Sequence, residues 1–174
     1  MQKIVIRPAI DNDFDSLTQL AAELQDYEKA IYPLRKSGAS YGTESAKRML
    51  VEIKTGESDV FVAEVNGQVV GYIAAHSEHN DCDQNDTYYV EDLAVTETFR
   101  SQGIGTQLLK YTEEFAKTKG FKKFGVGILI ANDRVLKYYE KYGFEVYGVE
   151  LNKDIAWIKK KELILTSIKY YVIL

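Results

Sequence analysis

Arg100-Ser101-Gln102-Gly103-Ile104-Gly105 is the part of this 174-residue chain whose residue types most directly suggest a ligand. Two glycines without Cβ atoms let a ligand approach the backbone closely and admit positive φ at little cost. Leu108, Leu109, Thr112, Phe115 and Ala116 recur at three- and four-residue steps, so the glycines open a helix running from Ile104 to about Lys119. The unpartnered N–H groups and the positive end of the helix dipole then gather at Gly103, Ile104, Gly105 and Thr106. A phosphate satisfies both, and Arg100 adds a cation at the rim. The residues before the turn, Tyr88 to Thr96, are aromatic, β-branched and aliphatic and read as a buried strand. The chemistry suggested is diphosphate binding at a strand–turn–helix corner.

Two common phosphate-binding turns are excluded by residue identity. A dinucleotide fingerprint needs a third glycine or alanine where Leu108 stands, and a P-loop needs Gly-Lys-Ser/Thr, which is absent. Arg100 to Gly105 is instead similar to the Arg/Gln-x-x-Gly-x-Gly/Ala motif of the GNAT superfamily of acyl-CoA-dependent N-acyltransferases. Downstream, Asn132-Asp133-Arg134-Val135-Leu136-Lys137-Tyr138-Tyr139-Glu140-Lys141-Tyr142-Gly143-Phe144 resembles that family's second signature, with Asn132 suited to cap a helix and Gly143 to end it. The resemblance runs from about Ile4 to Leu163.

The resemblance implies a fold, a co-substrate and a set of roles. The fold is α/β, a mixed, mostly antiparallel sheet of about seven strands flanked by about four helices. The co-substrate is acetyl-CoA, from which an acetyl group passes directly, in a ternary complex, to a primary amine of a small molecule, polycations included, or of a peptide. The backbone of Leu93, Ala94 and Val95 would pair with the pantetheine arm. Arg100, Ser101, Gln102, Gly103, Ile104, Gly105 and Thr106 would hold the pyrophosphate, with Asn132 and Tyr139 as further contacts. Attack on the thioester needs a base, an oxyanion donor and an acid for the departing thiolate. Tyr139 matches the family's acid, and a phenol of pKa about 10 donates to a thiolate of about 8.5 with little driving force either way. The backbone N–H near Val95 would meet the oxyanion, and Glu91, acting through a water, is the expected base. Asp92, His76 and water are the alternatives, and strand alternation would send Glu91 and Asp92 to opposite faces. A non-catalytic acyl-CoA sensor that keeps the turn is the rival from another class.

The remaining elements follow from pattern. Lys3 to Arg7 reads as a strand, and Asp11 or Asp13 caps a helix to about Lys29 built on Phe14, Leu17, Leu20, Ala21 and Leu24. Ile31 to Tyr41 reads as a loop before a Thr43-capped helix over Glu44 to Lys54. Asp59–Val65 and Gln68–Ser77 are strands joined by Asn66-Gly67, a strong hairpin signal. Lys123–Ile130 is a strand parallel to the central one, and Gly125 and Gly127 weaken it in a manner compatible with the gap the family opens there. Glu145–Leu151 and Ile155–Leu163 read as two more strands, completing an acetyltransferase domain over residues 1–163. The ending Ile164–Leu174 is apolar apart from Lys169, too short to span a bilayer, and expected to pair as a strand within the sheet or across a homodimer.

Composition bounds the partners. A hydrophobic content of 45% over this length supplies one core, and a net charge of −4 argues against nucleic acid or an anionic membrane as partner. The acidic residues Glu23, Asp26, Glu28, Glu78, Asp81, Asp83 and Asp86, with Tyr27, are expected around the acceptor's mouth, where they would attract a cationic amine. The single cysteine, Cys82, excludes an internal disulfide, and no His or carboxylate set has metal spacing, so no metal is expected. Met1 to Pro8 alternates in hydropathy and lacks the pattern of a signal peptide, so a cytoplasmic location is expected.

Overall fold

The computed structural model describes residues 3–151. Its elements run β1 (Ile4–Pro8), α1 (Phe14–Ile31), α2 (Gly38–Thr55), β2 (Asp59–Val65), β3 (Gln68–Glu78), β4 (Thr87–Val95), α3 (Ile104–Thr118), β5 (Lys123–Val126) and α4 (Asp133–Tyr142). Contacts divide the chain into a compact unit, Met1–Phe144, and a second, Glu145–Leu174. The five strands among the described residues and the cavity described below belong to the first.

The sheet order is β1-β2-β3-β4-β5. The first three pairings are antiparallel and the last, β4 with β5, is parallel, as the mixed, mostly antiparallel α/β expectation required. Both faces are apolar, because strand residues alternate between two clusters. Phe61, Ala63, Ile73, Tyr88 and Val90 pack with Leu108 and Leu109 of α3, whereas Val60, Val62, Tyr72, Ala74 and Ala94 pack with Leu17 and Leu20 of α1 and Met49 of α2. Asn66 and Gly67 both have positive φ, 52° and 82°, which is the twist a two-residue hairpin demands.

Several expectations need correction. The second helix starts at Gly38, five residues before Thr43, because Asp26 on α1 accepts a hydrogen bond from the Gly38 N–H at 2.6 Å and so caps it from another element. A Cβ on Gly38 would lie 2.3 Å from the Ala22 carbonyl oxygen, and one on Gly42 2.5 Å from that of Thr18. These glycines bring two helices together and do not mark a loop. The β5 strand ends at Val126, four residues early: its ladder with β4 stops at the Val90–Val126 pair, immediately before the bulged Glu91. Glu145–Leu151 forms neither helix nor strand: no described strand pairs with it, so extended backbone there gains no ladder. Ile155–Leu163, the boundary at residue 163 and the apolar ending all lie outside the described residues.

Candidate active site

The last half of β4 is where the sheet opens. Its pairing to β5 covers Thr87 to Val90 only, while the strand continues to Val95. Thr96 N–H donates to Val70 of β3, so strand alternation points the Ala94 groups toward β3 as well and leaves those of Leu93 and Val95 facing the gap beside β5. Arg100 Nε fills one of them, donating to the Val95 carbonyl at 2.9 Å.

A cavity of about 400 Å³ follows this opening, walled by α1, the second half of β4, the glycine turn, the residues after β5 and the start of α4. Leu93, Ala94 and Val95 line it, as do Arg100, Ser101, Gly103, Ile104, Gly105, Thr106, Asn132, Tyr139 and Glu91. Gln102 does not, because its side chain turns back to donate to the Thr98 carbonyl at 3.2 Å. Gly103 caps α3 at φ 79°, ψ 5°, and no atom lies within 4 Å of the place its Cβ would occupy. Its glycine serves the left-handed conformation, and the space beside it is open. Asn132 does cap α4: its Oδ1 accepts from Val135 N–H at 3.4 Å and from the Tyr27 hydroxyl at 3.2 Å.

The cavity is electrically divided. Where β4 hands over to α3, the walls carry Arg100 and the N–H groups at the start of α3, with Glu23 of α1 beside Thr96. Toward the middle of β4 they carry Glu91 and Asp92, joined by Glu28 from α1, and Arg134 of α4 also lines the cavity. The strand separates the poles by about 10 Å, three residues at roughly 3.3 Å each. Burial raises Glu28, partly offset by Arg35 3.0 Å away. The Glu23 carboxylate accepts from Thr96 Oγ1 at 3.2 Å through one oxygen, and its other oxygen is buried with no protein partner.

Tyr139 is 6% exposed and lines the cavity, packed edge-to-face on Phe144 at 5.3 Å and beside Tyr138 at 5.1 Å. Among the described residues nothing hydrogen-bonds its hydroxyl, and burial, helped by Tyr138, pushes its pKa well above the usual phenol range. It therefore stays protonated, with its hydroxyl unengaged, as a weaker acid than an ordinary phenol. Tyr142, which shares its helix, bonds Glu113 at 3.0 Å outside the cavity.

The carboxylate pair departs from the alternation expected of it. Ala74 pairs with Asp92 and Ala75 with Val90, so Glu91 is an extra residue bulged out of β4. Beyond the bulge the faces swap: Val90 packs on the α3 side, yet Ala94 packs on the α1–α2 side. Glu91 and Asp92 thus both point toward the α1–α2 layer. Glu91 accepts from Arg48 of α2 at 3.0 Å, and Asp92 accepts from the hydroxyl of fully buried Tyr72 at 3.0 Å. Burial raises Asp92 to about 6, with the Glu91 and Glu28 charges adding to the rise and the Tyr72 hydrogen bond and Arg48 opposing it.

Other expected members are elsewhere. His76 lies tilted against Tyr89, ring centroids 5.7 Å apart, and is not in the cavity wall. Asp26 is spent capping α2, and the bend acids Glu78, Asp81, Asp83 and Asp86 lie outside the wall, where Asp81 and Asp86 hold His79 and Asp83 holds Lys123. Sequence reasoning missed Tyr72, Arg48 and Arg134, and gave Tyr27 no more than a place at the mouth. Tyr72 and Arg48 become visible only once the bulged β3–β4 register is known. No group of three or more metal-ligating side chains occurs among the described residues.

Comparison with known proteins accounts for this arrangement. The chain is 27% identical over 142 residues to an uncharacterised N-acetyltransferase of Methanocaldococcus jannaschii, covering 80% of this chain and 60% of that protein's length. It is 25% identical over 164 residues to thialysine N-epsilon-acetyltransferase of Mus musculus, covering 88% of each. Among solved structures, an aminoglycoside N-acetyltransferase AAC(6')-Iy in complex with CoA superposes with a TM-score of 0.68 at 19% identity, covering 89% of this chain and 97% of the other, a likeness that establishes the fold. The sequence profile of the Acetyltransferase (GNAT) family matches residues 21–144, and the chain belongs to that family.

Proposed function

We propose that this protein transfers an acetyl group from acetyl-CoA to a primary amine. The observation that carries the reading is the divided cavity: a cationic, amide-rich pole at the glycine turn, a carboxylate pole around Glu91 and Asp92, and an unpaired strand edge joining them. A diphosphate suits the first pole and an ammonium the second. The residues fit the co-substrate: Gly103, Ile104, Gly105 and Thr106 offer amides, Arg100 and Arg134 offer charge, and the Leu93 N–H and carbonyl offer backbone groups for an extended amide-bearing arm. Bound acetyl-CoA supplies the activated acyl group and a good leaving thiol.

In this reading Tyr139 donates a proton to the leaving sulfur, the Val95 N–H stabilises the carbonyl oxygen as it gains charge, and the Glu91–Asp92 pair deprotonates the amine. The acceptor is a small amine; relatives named for thialysine and aminoglycosides support that class. A homodimer and a cytoplasmic location complete the proposal; no helix among the described residues is long and apolar enough to cross a membrane. The test is thiol release from acetyl-CoA over a panel of polyamines, aminoglycosides, amino acids and peptide N-termini. Release dependent on an amine supports transfer. Tight acetyl-CoA binding without release from any amine would favour the sensor.

A further inference from the structure

The two carboxylates at the acidic pole differ in a way that assigns them different work. Glu91 sits on the bulge, with its carboxylate held by Arg48, which also pairs with Glu52 at 3.2 Å. A carboxylate oxygen already held by a guanidinium is not free to turn to an amine. Asp92 makes no ion pair among the described residues: its Oδ2 accepts from the neutral hydroxyl of Tyr72, and the residue lines the cavity. Tyr72 is 0% exposed, within the core cluster that holds Leu17, Met49 and Val62, so its ring has little room to move.

We propose that Asp92, and not Glu91, accepts the proton of the acceptor amine, and that Tyr72 is the positioning residue that aims its carboxylate. The inference rests on acetyl transfer being the reaction. Protons and bonds balance as follows. Asp92 takes one proton from the ammonium, and the freed nitrogen lone pair forms the bond to the acyl carbon. Tyr139 gives its proton to the sulfur as the carbon–sulfur bond breaks, then recovers one from the second proton the nitrogen sheds. Asp92 releases its proton to solvent, so each turnover liberates one proton from a charged amine.

The groups facing Asp92 make the assignment testable by pH. They are Glu91 on its own strand, Tyr72 on β3, Glu28 on α1 and Arg48 on α2. With a folded value near 6, the base becomes competent as pH rises through 6, giving kcat/KM an acidic limb there. Tyr72 donates to the charged form, so Tyr72→Phe moves the limb to higher pH. Glu91 repels the charged form, so Glu91→Gln moves it to lower pH, in the same direction as the Arg48 charge it would release.

The experiment measures acetyl-CoA affinity by calorimetry and amine-dependent thiol release from pH 5 to 9 for the wild type, Asp92→Asn, Tyr72→Phe and Glu91→Gln. All four are expected to bind acetyl-CoA within about threefold of one another. Asp92→Asn is expected to lower kcat/KM at pH 8 by about 100- to 1,000-fold and to erase the limb. The other two are expected to shift the limb in opposite directions at smaller cost. A limb that survives Asp92→Asn, or vanishes in Glu91→Gln, would overturn the assignment while leaving acetyl transfer in place. A Tyr72→Phe enzyme with lowered thermal stability and an unmoved limb would overturn the positioning role. Failure of the wild type to bind acetyl-CoA would remove the reaction itself.

Discussion

The two halves of β4 share one strand and one backbone geometry but have opposite surroundings. From Thr87 to Val90 the strand is hydrogen-bonded on both edges, to β3 and to β5, and Tyr88 and Val90 are at most 1% exposed. From Glu91 to Val95 it keeps β3 and loses β5, a bulge swaps its faces, and two carboxylates enter the wall of a cavity. The closed half contributes stability and the open half contributes unpaired chemistry. A fold holds such an open edge only because the closed half, a few residues away, anchors it from both sides.

Substitutions should separate the halves cleanly. The largest effect belongs to the closed half: Tyr88→Ala removes a ring packed near Phe115, Phe121 and Phe124 and should cost about 3–5 kcal/mol in chemical denaturation. At the end of the open half, Gly103→Val must hold a β-branched residue at φ 79° and puts methyl groups where phosphate oxygens would lie. Acetyl-CoA affinity should fall about 100-fold, near 2.7 kcal/mol, with a loss of only about 1–2 kcal/mol in stability. Tyr139→Phe should keep acetyl-CoA affinity and lower kcat about tenfold, because the hydroxyl is free of structural bonds. Smallest is Arg100→Ala, for which a three- to tenfold weaker acetyl-CoA affinity and a flatter salt dependence are expected in titrations at two ionic strengths.

Stability should also respond to pH through the open half. The folded value of Asp92, about 6, lies above the ordinary 3.8. Its contribution to stability is therefore fully present below about pH 4 and is lost as pH rises through 6. Asp92→Asn should remove that part of the slope, and its melting temperature at pH 7 should equal or exceed that of the wild type while activity falls. A variant that lost both together would mark Asp92 as structural.

What the sequence disclosed divides along the same line. The closed elements were legible because local patterns set them: the Asn66-Gly67 turn, the apolar stripe of α3, and the Asn132 and Gly143 ends of α4. The glycine turn was legible because its conformation, Gly103 at φ 79°, is one that glycine itself permits. The acidic pole was not. Its geometry depends on a bulge that places Glu91 opposite no residue, and nothing in the local run Tyr-Val-Glu-Asp-Leu marks where alternation breaks. The same holds for Gly38 and Gly42, whose glycines answer to the carbonyls of a neighbouring helix. Tyr72 reads as one more strand aromatic until its hydroxyl is seen at Asp92.

Amide hydrogen exchange, with and without acetyl-CoA, tests the central claim most directly. Protection should appear at Leu93, Val95 and Gly103 to Thr106, with no change from Thr87 to Val90, whose amides are already paired within the sheet. Unchanged exchange at Leu93, Val95 and the glycine turn, or protection confined to another surface, would contradict the account.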